Sequence, residues 1–129
     1  PVLKVFFFGD HDHLKELEAH VHACCPGRLA TTFSLHMTLE VMAAGVSKGA
    51  ALGQVLDRLE LTKEDVIAFG DGMNDLELLG GVGKGVLMGN ADPCLKAALG
   101  HLEVIGTNAD EAVAGYLDQL YFSNQAPVA

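Results

Sequence analysis

The chain has 129 residues, of which 50% are apolar, and its 17 acidic against 8 basic side chains give a formal net charge of -9. This length fits one domain or slightly more, with enough apolar residues for a buried core. A chain this acidic has no basic stripe that could neutralise nucleic-acid phosphates or dock on anionic lipid. We therefore expect no nucleic acid and no membrane among its partners.

The cysteine pattern and the lack of a long apolar run bear on the cellular compartment. Cys24, Cys25 and Cys94 are odd in number and match no paired zinc spacing, which predicts reduced thiols rather than a disulfide framework. No apolar run approaches the ~20 residues that a membrane helix needs, and the first residues lack the pattern of a secretory signal. These features predict a cytoplasmic protein.

The first part of the chain carries the pattern of a small β-α-β-β unit. Residues 2–8 form an apolar, aromatic run of strand length. Apolar residues then recur at helical spacing over residues 14–25, and Pro26 follows as a helix stop. Residues 31–33 and 38–42 are β-branched and apolar, which predicts a strand pair and a partly antiparallel sheet.

From Gly45 onward the pattern becomes a regular alternation of helix and strand. Continuous apolar strands are predicted at residues 66–69, 85–88 and 104–105. The first helix of this part has an apolar stripe formed by Leu52, Val55, Leu56 and Leu59. Apolar strands between helices are typical of a parallel sheet that is covered on both faces.

The turn after the strand at residues 66–69 is the strongest candidate for a site. In open α/β sheets, ligands bind beyond the carboxyl ends of the strands. Here Asp71 follows the strand, and Asn74 and Asp75 open the next helix. Two carboxylates with an amide between them offer hard oxygen ligands suited to Mg²⁺ facing a phosphate. An ordinary Asp-Gly surface turn has the same composition, so this turn alone leaves both interpretations open.

Lys48 is the second candidate. It follows the predicted N-cap Ser47 at the start of a helix, where a cation is unfavourable for the helix dipole. A bound phosphate would explain a lysine at this position. A solvated surface lysine is the alternative that helix position by itself favours.

Taken together, several stretches resemble a known family. They are Val-Ser-Lys-Gly at 46–49, Ile-Ala-Phe-Gly-Asp-Gly-Met-Asn-Asp at 67–75 and Leu-Met-Gly-Asn-Ala at 87–91, with supporting matches at 39–42 and 103–110. This combination resembles the C-terminal third of the haloacid dehalogenase (HAD) superfamily, in its Cof-type (class IIB) branch. The resemblance covers nearly the whole chain. Within this branch, the chain is similar to bacterial Cof-type phosphatases of sugar phosphates and pyridoxal phosphate.

The resemblance implies a fold and a domain plan. The fold is a partial HAD Rossmann-like parallel sheet with helices on both faces, preceded by the last β-α-β-β part of an α+β cap. Residues 1–44 would be the C-terminal part of the cap domain, and residues 45–122 the C-terminal half of the core domain. Residues 123–129 have little to pack against, and we expect a disordered tail there.

The resemblance also implies a chemistry. Such enzymes are Mg²⁺-dependent phosphomonoesterases of small phosphorylated metabolites, in which an Asp attacks phosphorus and an aspartyl-phosphate is hydrolysed by water. Lys48 would hold the substrate phosphate and screen the nucleophile, and Asn74 would bond the same phosphate. Asp71 would ligate Mg²⁺, and Asp75 would support the metal directly or through water. Asn90 would orient the site from behind these residues.

The nucleophile motif Asp-x-Asp-Gly-Thr of the family is not recognisable here. Asp10 and Asp12 follow a strand with the right spacing, but no Gly-Thr follows them. The residues between Asp12 and Lys48 are also too few to contain the cap and the second phosphate-binding strand of the family. We expect a turn and helix cap at Asp10 and Asp12 instead. The chain is therefore interpreted as a C-terminal fragment, and we expect it to be inactive alone. We also expect it to self-associate, or to pair with its missing N-terminal part, through the edge of the strand that carries Asp71.

Two other functions share the Gly-Asp-Gly-x-Asn-Asp pattern. One is the phosphorylation domain of a P-type ATPase, which needs membrane helices that this sequence does not contain. The other is a noncatalytic regulatory module that only binds Mg²⁺ or phosphate. The glycine-rich stretch at 80–85 resembles a nucleotide loop in composition alone, because its Lys84 precedes Gly rather than Ser or Thr.

Overall fold

The computed structural model describes residues 2–122 and contains two three-stranded sheets. The first part comprises β1 (Lys4–Phe8), α1 (His11–Cys24), β2 (Leu29–Leu35) and β3 (Thr38–Ala43). The second comprises α2 (Lys48–Leu59), β4 (Ile67–Gly70), α3 (Leu76–Gly81), β5 (Lys84–Leu87), α4 (Pro93–Ala98), β6 (Glu103–Val104) and α5 (Ala112–Tyr121). Short 3₁₀ turns occur at Lys63–Asp65, Met73–Asp75 and Asn108–Asp110.

The first sheet is antiparallel with strand order β1-β3-β2. Side chains alternate between the faces of a strand, and on β3 Leu39 and Val41 pack with Leu14 of α1. The opposite face of β3 carries Glu40, which is also buried. The predicted antiparallel β-α-β-β unit is confirmed.

Asp10 begins α1. Its side chain accepts a hydrogen bond from the backbone N–H of Asp12 at 3.0 Å, which is an N-cap interaction. The expectation that this Asp-x-Asp pair forms a turn and helix cap is confirmed for Asp10. The helix ends at Cys24, just before the predicted stop at Pro26.

The second sheet is parallel, with strand order β4-β5-β6. Three consecutive residues of β5, Gly85, Val86 and Leu87, are buried. Because neighbouring residues of a strand face opposite sides, this burial means that both faces of the sheet are covered. Leu79 of α3 and Leu95 of α4 complete the core at 1% and 0% exposure. The predicted α/β fold with a covered parallel sheet is confirmed.

The apolar stripe of α2 is only partly buried. Leu56 is buried, but Val55 and Leu59 are 50% and 60% exposed. The reason is that α2 packs mainly along one side, against α3 and the Met73–Asp75 turn.

The tail predicted at residues 123–129 lies outside the described residues. Within residues 2–122, β4 is an edge strand of the parallel sheet, and no helix of that part has the length and apolar character to span a bilayer. The predicted division near residue 44 coincides with the change from the antiparallel sheet to α2, and its assignment to cap and core stays a prediction.

Candidate active site

The site is built on the turn between β4 and α3. Asp71 leaves the end of β4 with an exposed side chain, and a 3₁₀ turn then brings Asp75 back beneath it. The Asp75 side chain is buried, at 4% exposure for the residue, and its Oδ2 accepts hydrogen bonds from the backbone N–H groups of Asp71 at 3.1 Å and Gly72 at 3.2 Å. One buried carboxylate therefore closes the turn that presents Asp71.

The close approach of Asp75 explains the glycine at position 70. A Cβ added to Gly70 would lie 2.7 Å from the Asp75 Cβ and 2.8 Å from its Oδ2. No heavier residue fits at that distance unless the buried carboxylate moves. Gly70 is thus required by packing against Asp75, since it is not among the glycines with positive φ.

Lys48 is the first residue of α2. Ser47 caps this helix, as predicted, by accepting a hydrogen bond from the Ala50 N–H at 3.0 Å. The Lys48 Nζ donates to Oδ1 of Asp75. This ion pair offsets the unfavourable position of a cation at a helix N-terminus, and it brings Lys48 to the same turn that presents Asp71.

A second set of hydrogen bonds ties together the loops after all three parallel strands. Asn90, after β5, donates through Nδ2 to Oδ2 of Asp71 at 3.2 Å, and its Oδ1 accepts from the N–H of Asn108, after β6, at 3.0 Å. The N–H of Asp92 donates to the backbone oxygen of Asp71 at 2.8 Å. Asn90 thus contacts the Asp71 carboxylate directly and holds it against the neighbouring loops.

Asn74 lies in a cleft of about 480 Å³ between the antiparallel sheet and the parallel part of the chain. Lys48 and Asn74 line its floor, and Thr32 and Glu40 of the antiparallel sheet line the opposite wall. Asp71 is not among the lining residues. The structure therefore brings Lys48, Asn74 and Asp75 to one place directly, and it connects Asp71 to them through the Asp75 side chain.

Glu40 also lines this cleft, and the Lys48 and Asp71 motifs assigned it no role. Burial raises the pKa of Glu40, but hydrogen bonds from Lys4 and Ser34 and the charges of Lys4 and Lys48 together bring this pKa below its ordinary value. The carboxyl group is therefore ionised at neutral pH. The signal in the sequence was a carboxylate placed between Leu39 and Val41 inside an apolar strand.

A family model described as haloacid dehalogenase-like hydrolase matches residues 1–117 of the chain. The chain belongs to this family. The resemblance recognised in the Lys48 and Asp71 motifs is thereby confirmed, and the confirmation covers the antiparallel sheet as well as the parallel one.

Individual relatives agree with this assignment. The HMP-PP phosphatase of Enterobacter sp. (strain 638) is 48% identical over 116 residues, which cover 90% of this chain and 43% of that protein. The putative HMP-PP phosphatase of Shigella dysenteriae serotype 1 (strain Sd197) is 47% identical, covering 90% of the chain and 78% of the relative. A haloacid dehalogenase-like hydrolase structure from Bacteroides thetaiotaomicron matches with a TM-score of 0.75 and 32% identity, over 94% of this chain and 45% of that one.

The chain thus spans less than half the length of most of the curated relatives it matches. These relatives are named phosphatases, which agrees with a phosphate at the Lys48 turn.

The donor set of this HAD-like chain suits a hard divalent cation. The exposed Asp71 carboxylate accepts one hydrogen bond from within residues 2–122, so its remaining lone pairs face outward. Asp75 is different, because Lys48 and two backbone N–H groups already occupy its two oxygens. No group of three or more His, Cys, Asp or Glu side chains that could hold a metal occurs in that part of the chain. Mg²⁺ needs only one or two protein carboxylates, because water and substrate phosphate fill its other positions.

Proposed function

We propose that this chain supplies the phosphate-holding and metal-holding part of a Mg²⁺-dependent phosphomonoesterase that acts on a small phosphorylated metabolite. The observation that carries the proposal is the link from the Lys48 amine through Asp75 to the backbone of Asp71. This link brings the cation at the start of α2 to the turn that presents the exposed Asp71 carboxylate. A phosphoryl group and its counterion need both of these groups.

The residues of the chain would act by binding and by positioning charge. Lys48 and Asn74 would bond the phosphate oxygens, and the Lys48 charge would offset the negative charge that gathers there during transfer. Asp71 would hold the magnesium ion, which when bound would draw charge from the phosphate oxygens. Asp75 would hold Lys48 and the Asp71 backbone in a fixed relative position, and Asn90 would orient the Asp71 carboxylate.

The reaction would proceed by covalent catalysis at a carboxylate. An Asp oxygen would form a bond to phosphorus while the bond to the ester oxygen breaks, and the leaving oxygen would take up a proton. Water would then release phosphate and restore the Asp. We propose that this Asp lies outside the chain and that the isolated chain is inactive, since Asp10 is engaged as the cap of α1.

The substrate class follows the names of the relatives. The curated relatives are named HMP-PP phosphatases, and we propose a small organic phosphate of that kind, a sugar phosphate or pyridoxal phosphate for this chain. The noncatalytic alternative, a module that binds Mg²⁺ and phosphate for regulation, is favoured by the lack of a recognisable nucleophile motif within the sequence.

Binding of inorganic phosphate to the 129-residue chain tests the proposed site. Lys48→Ala should weaken phosphate binding about tenfold in an NMR titration with Mg²⁺ present, as expected for the loss of a charge-assisted hydrogen bond. Lys15→Ala is the control, because Lys15 is an exposed lysine on α1 that does not line the cleft. Equal affinity of Lys48→Ala and wild-type protein would contradict the proposal.

Catalysis and regulation are separated by complementation. The segment of the Enterobacter relative that precedes its matched region is added to the chain, and hydrolysis of a generic phosphate ester is followed. Activity that depends on Asp71 supports the enzyme and removes the case for a regulatory module. Turnover by the chain alone that is lost in Asp10→Asn would show instead that Asp10 is the nucleophile.

A further inference from the structure

The wall of the cleft opposite Lys48 carries a charge that the proposed reaction does not use. Glu40 is 7% exposed and lies on β3, the central strand of the antiparallel sheet. Burying a carboxylate costs free energy unless it is paired. A purely apolar residue at this position would avoid that cost, so the ionised group calls for a function.

The partners of Glu40 keep it charged and leave it accessible from the cleft. Lys4 of β1 donates to its Oε2, and Lys48 contributes a favourable charge from the floor. A carboxylate has about four lone-pair positions. The Lys4 and Ser34 hydrogen bonds occupy only some of them, so the group can still accept a hydrogen bond from a ligand in the cleft.

The strand register places a second polar group beside Glu40. Thr32 of β2 is the direct partner of Glu40 across the antiparallel pair, so the two side chains lie on the same face. Both line the cleft that Lys48 and Asn74 line from below. The same wall also carries the apolar Ala30 and Met42 and the polar Lys4 and Thr31.

We infer that Glu40 recognises the organic part of the substrate whose phosphate binds at Lys48, an inference that rests on the proposed function. The substrate class is a phosphate monoester whose organic part carries a hydrogen-bond donor, either an ammonium or a neutral N–H or O–H group. Lys4 acts as a positioning residue that keeps Glu40 ionised. Glu40 then determines specificity, while Lys48 binds the phosphate that all such esters share.

The test compares three probes on the 129-residue chain with Mg²⁺ present. Phosphoethanolamine carries an ammonium group, phenyl phosphate has no donor on its organic part, and inorganic phosphate has no organic part. Wild-type protein should bind phosphoethanolamine about tenfold more tightly than phenyl phosphate, as expected for one hydrogen bond to a charged group. Glu40→Gln should remove this preference, so that the variant binds phosphoethanolamine and phenyl phosphate with similar affinity. Glu103→Gln is the matched control, because it breaks a Glu–Lys ion pair outside the cleft.

The outcomes separate this inference from the proposed function. Weaker phosphate binding in Lys48→Ala together with an unchanged preference in Glu40→Gln would overturn the role of Glu40 alone. Binding of inorganic phosphate that does not need Lys48 would overturn the proposed function. If Glu40→Gln fails to fold, the ¹³C shift of the Glu40 carboxyl group in wild-type protein decides, because it should respond to phosphoethanolamine and not to phenyl phosphate. Equal responses to both probes would contradict the inference.

Discussion

Asp75 shows how one residue organises the candidate site. Its buried carboxylate accepts two backbone N–H groups and a lysine amine, so it fixes the turn and the start of α2 at once. A buried carboxyl group that accepts several hydrogen bonds has its polar oxygens satisfied within the fold. This arrangement requires glycine at position 70, because a Cβ there would collide with the Asp75 side chain.

Gly70→Ala should therefore lower the free energy of unfolding by about 1–3 kcal/mol, the usual cost of overpacking. Urea denaturation followed by circular dichroism measures this change. Gly53→Ala is the control, because a Cβ at Gly53, within α2, meets no atom within 4 Å and should be neutral or slightly stabilising. Equal stability of Gly70→Ala and wild type would mean that the turn is loosely packed.

The lowered pKa of Glu40 makes a prediction about acid stability. A carboxyl group whose pKa is lower in the folded than in the unfolded chain stabilises the fold at pH values above its unfolded pKa, and it loses that contribution as pH falls through the folded pKa. The ordinary value is 4.5. Unfolding free energies of wild type and Glu40→Gln should therefore differ at neutral pH and converge well below that value. A difference that stays constant down to acidic pH would show that Glu40 is not ionised in the fold.

At the scale of elements, the helix that carries Lys48 depends on its cap. Ser47→Ala should cost about 1 kcal/mol of stability, because the Ala50 N–H loses its acceptor. It should also weaken inorganic phosphate binding in the NMR titration, because Lys48 is the first residue of that helix. Asp10→Ala removes the cap of α1 and should cost similar stability without affecting phosphate binding. Equal effects of the two variants on phosphate binding would contradict the prediction that the Ser47 cap positions Lys48.

The elements themselves were largely predictable from sequence, and their packing was not. Continuous apolar runs predict β4 and β5 because a strand buried on both faces contains no polar position. The exposure of Val55 and Leu59 was missed because periodicity shows that α2 is amphipathic, without showing how much of its stripe finds a partner. Lys48 and Asp71 were found through local motifs.

Glu40 and its partner Lys4 were assigned no role because they meet only through strand register. The two residues are 36 positions apart and lie on β3 and β1. No local pattern in the sequence reports such a contact, since register depends on how the whole sheet packs. The position of Glu40 opposite Lys48 further depends on the antiparallel sheet lying over the turn after β4.

At the scale of the whole molecule, β4 forms one edge of the parallel sheet within residues 2–122. The oxygens of Val66 and Gly70 accept hydrogen bonds from the N–H groups of Lys84, at the start of β5, and Met88, just after its end. Because the N–H and C=O groups of a strand alternate in direction, the backbone of Ile67 and Phe69 points to the unpaired edge. Unpaired apolar edges recruit further strands, and we propose that β4 pairs with a second copy or with a segment that lies outside these 129 residues.

Ile67→Pro tests this edge, because proline removes an outward N–H and leaves the bonds to β5 intact. We expect the isolated chain to self-associate in sedimentation velocity runs at increasing concentration, and Ile67→Pro to shift it towards the monomer. Val104→Pro makes the same change on β6, the opposite edge, where Ile105 and not Val104 donates to β5. It should leave association unchanged. Thermal unfolding of both variants checks that they fold, and equal association of Ile67→Pro and wild type would place the contact elsewhere on the molecule.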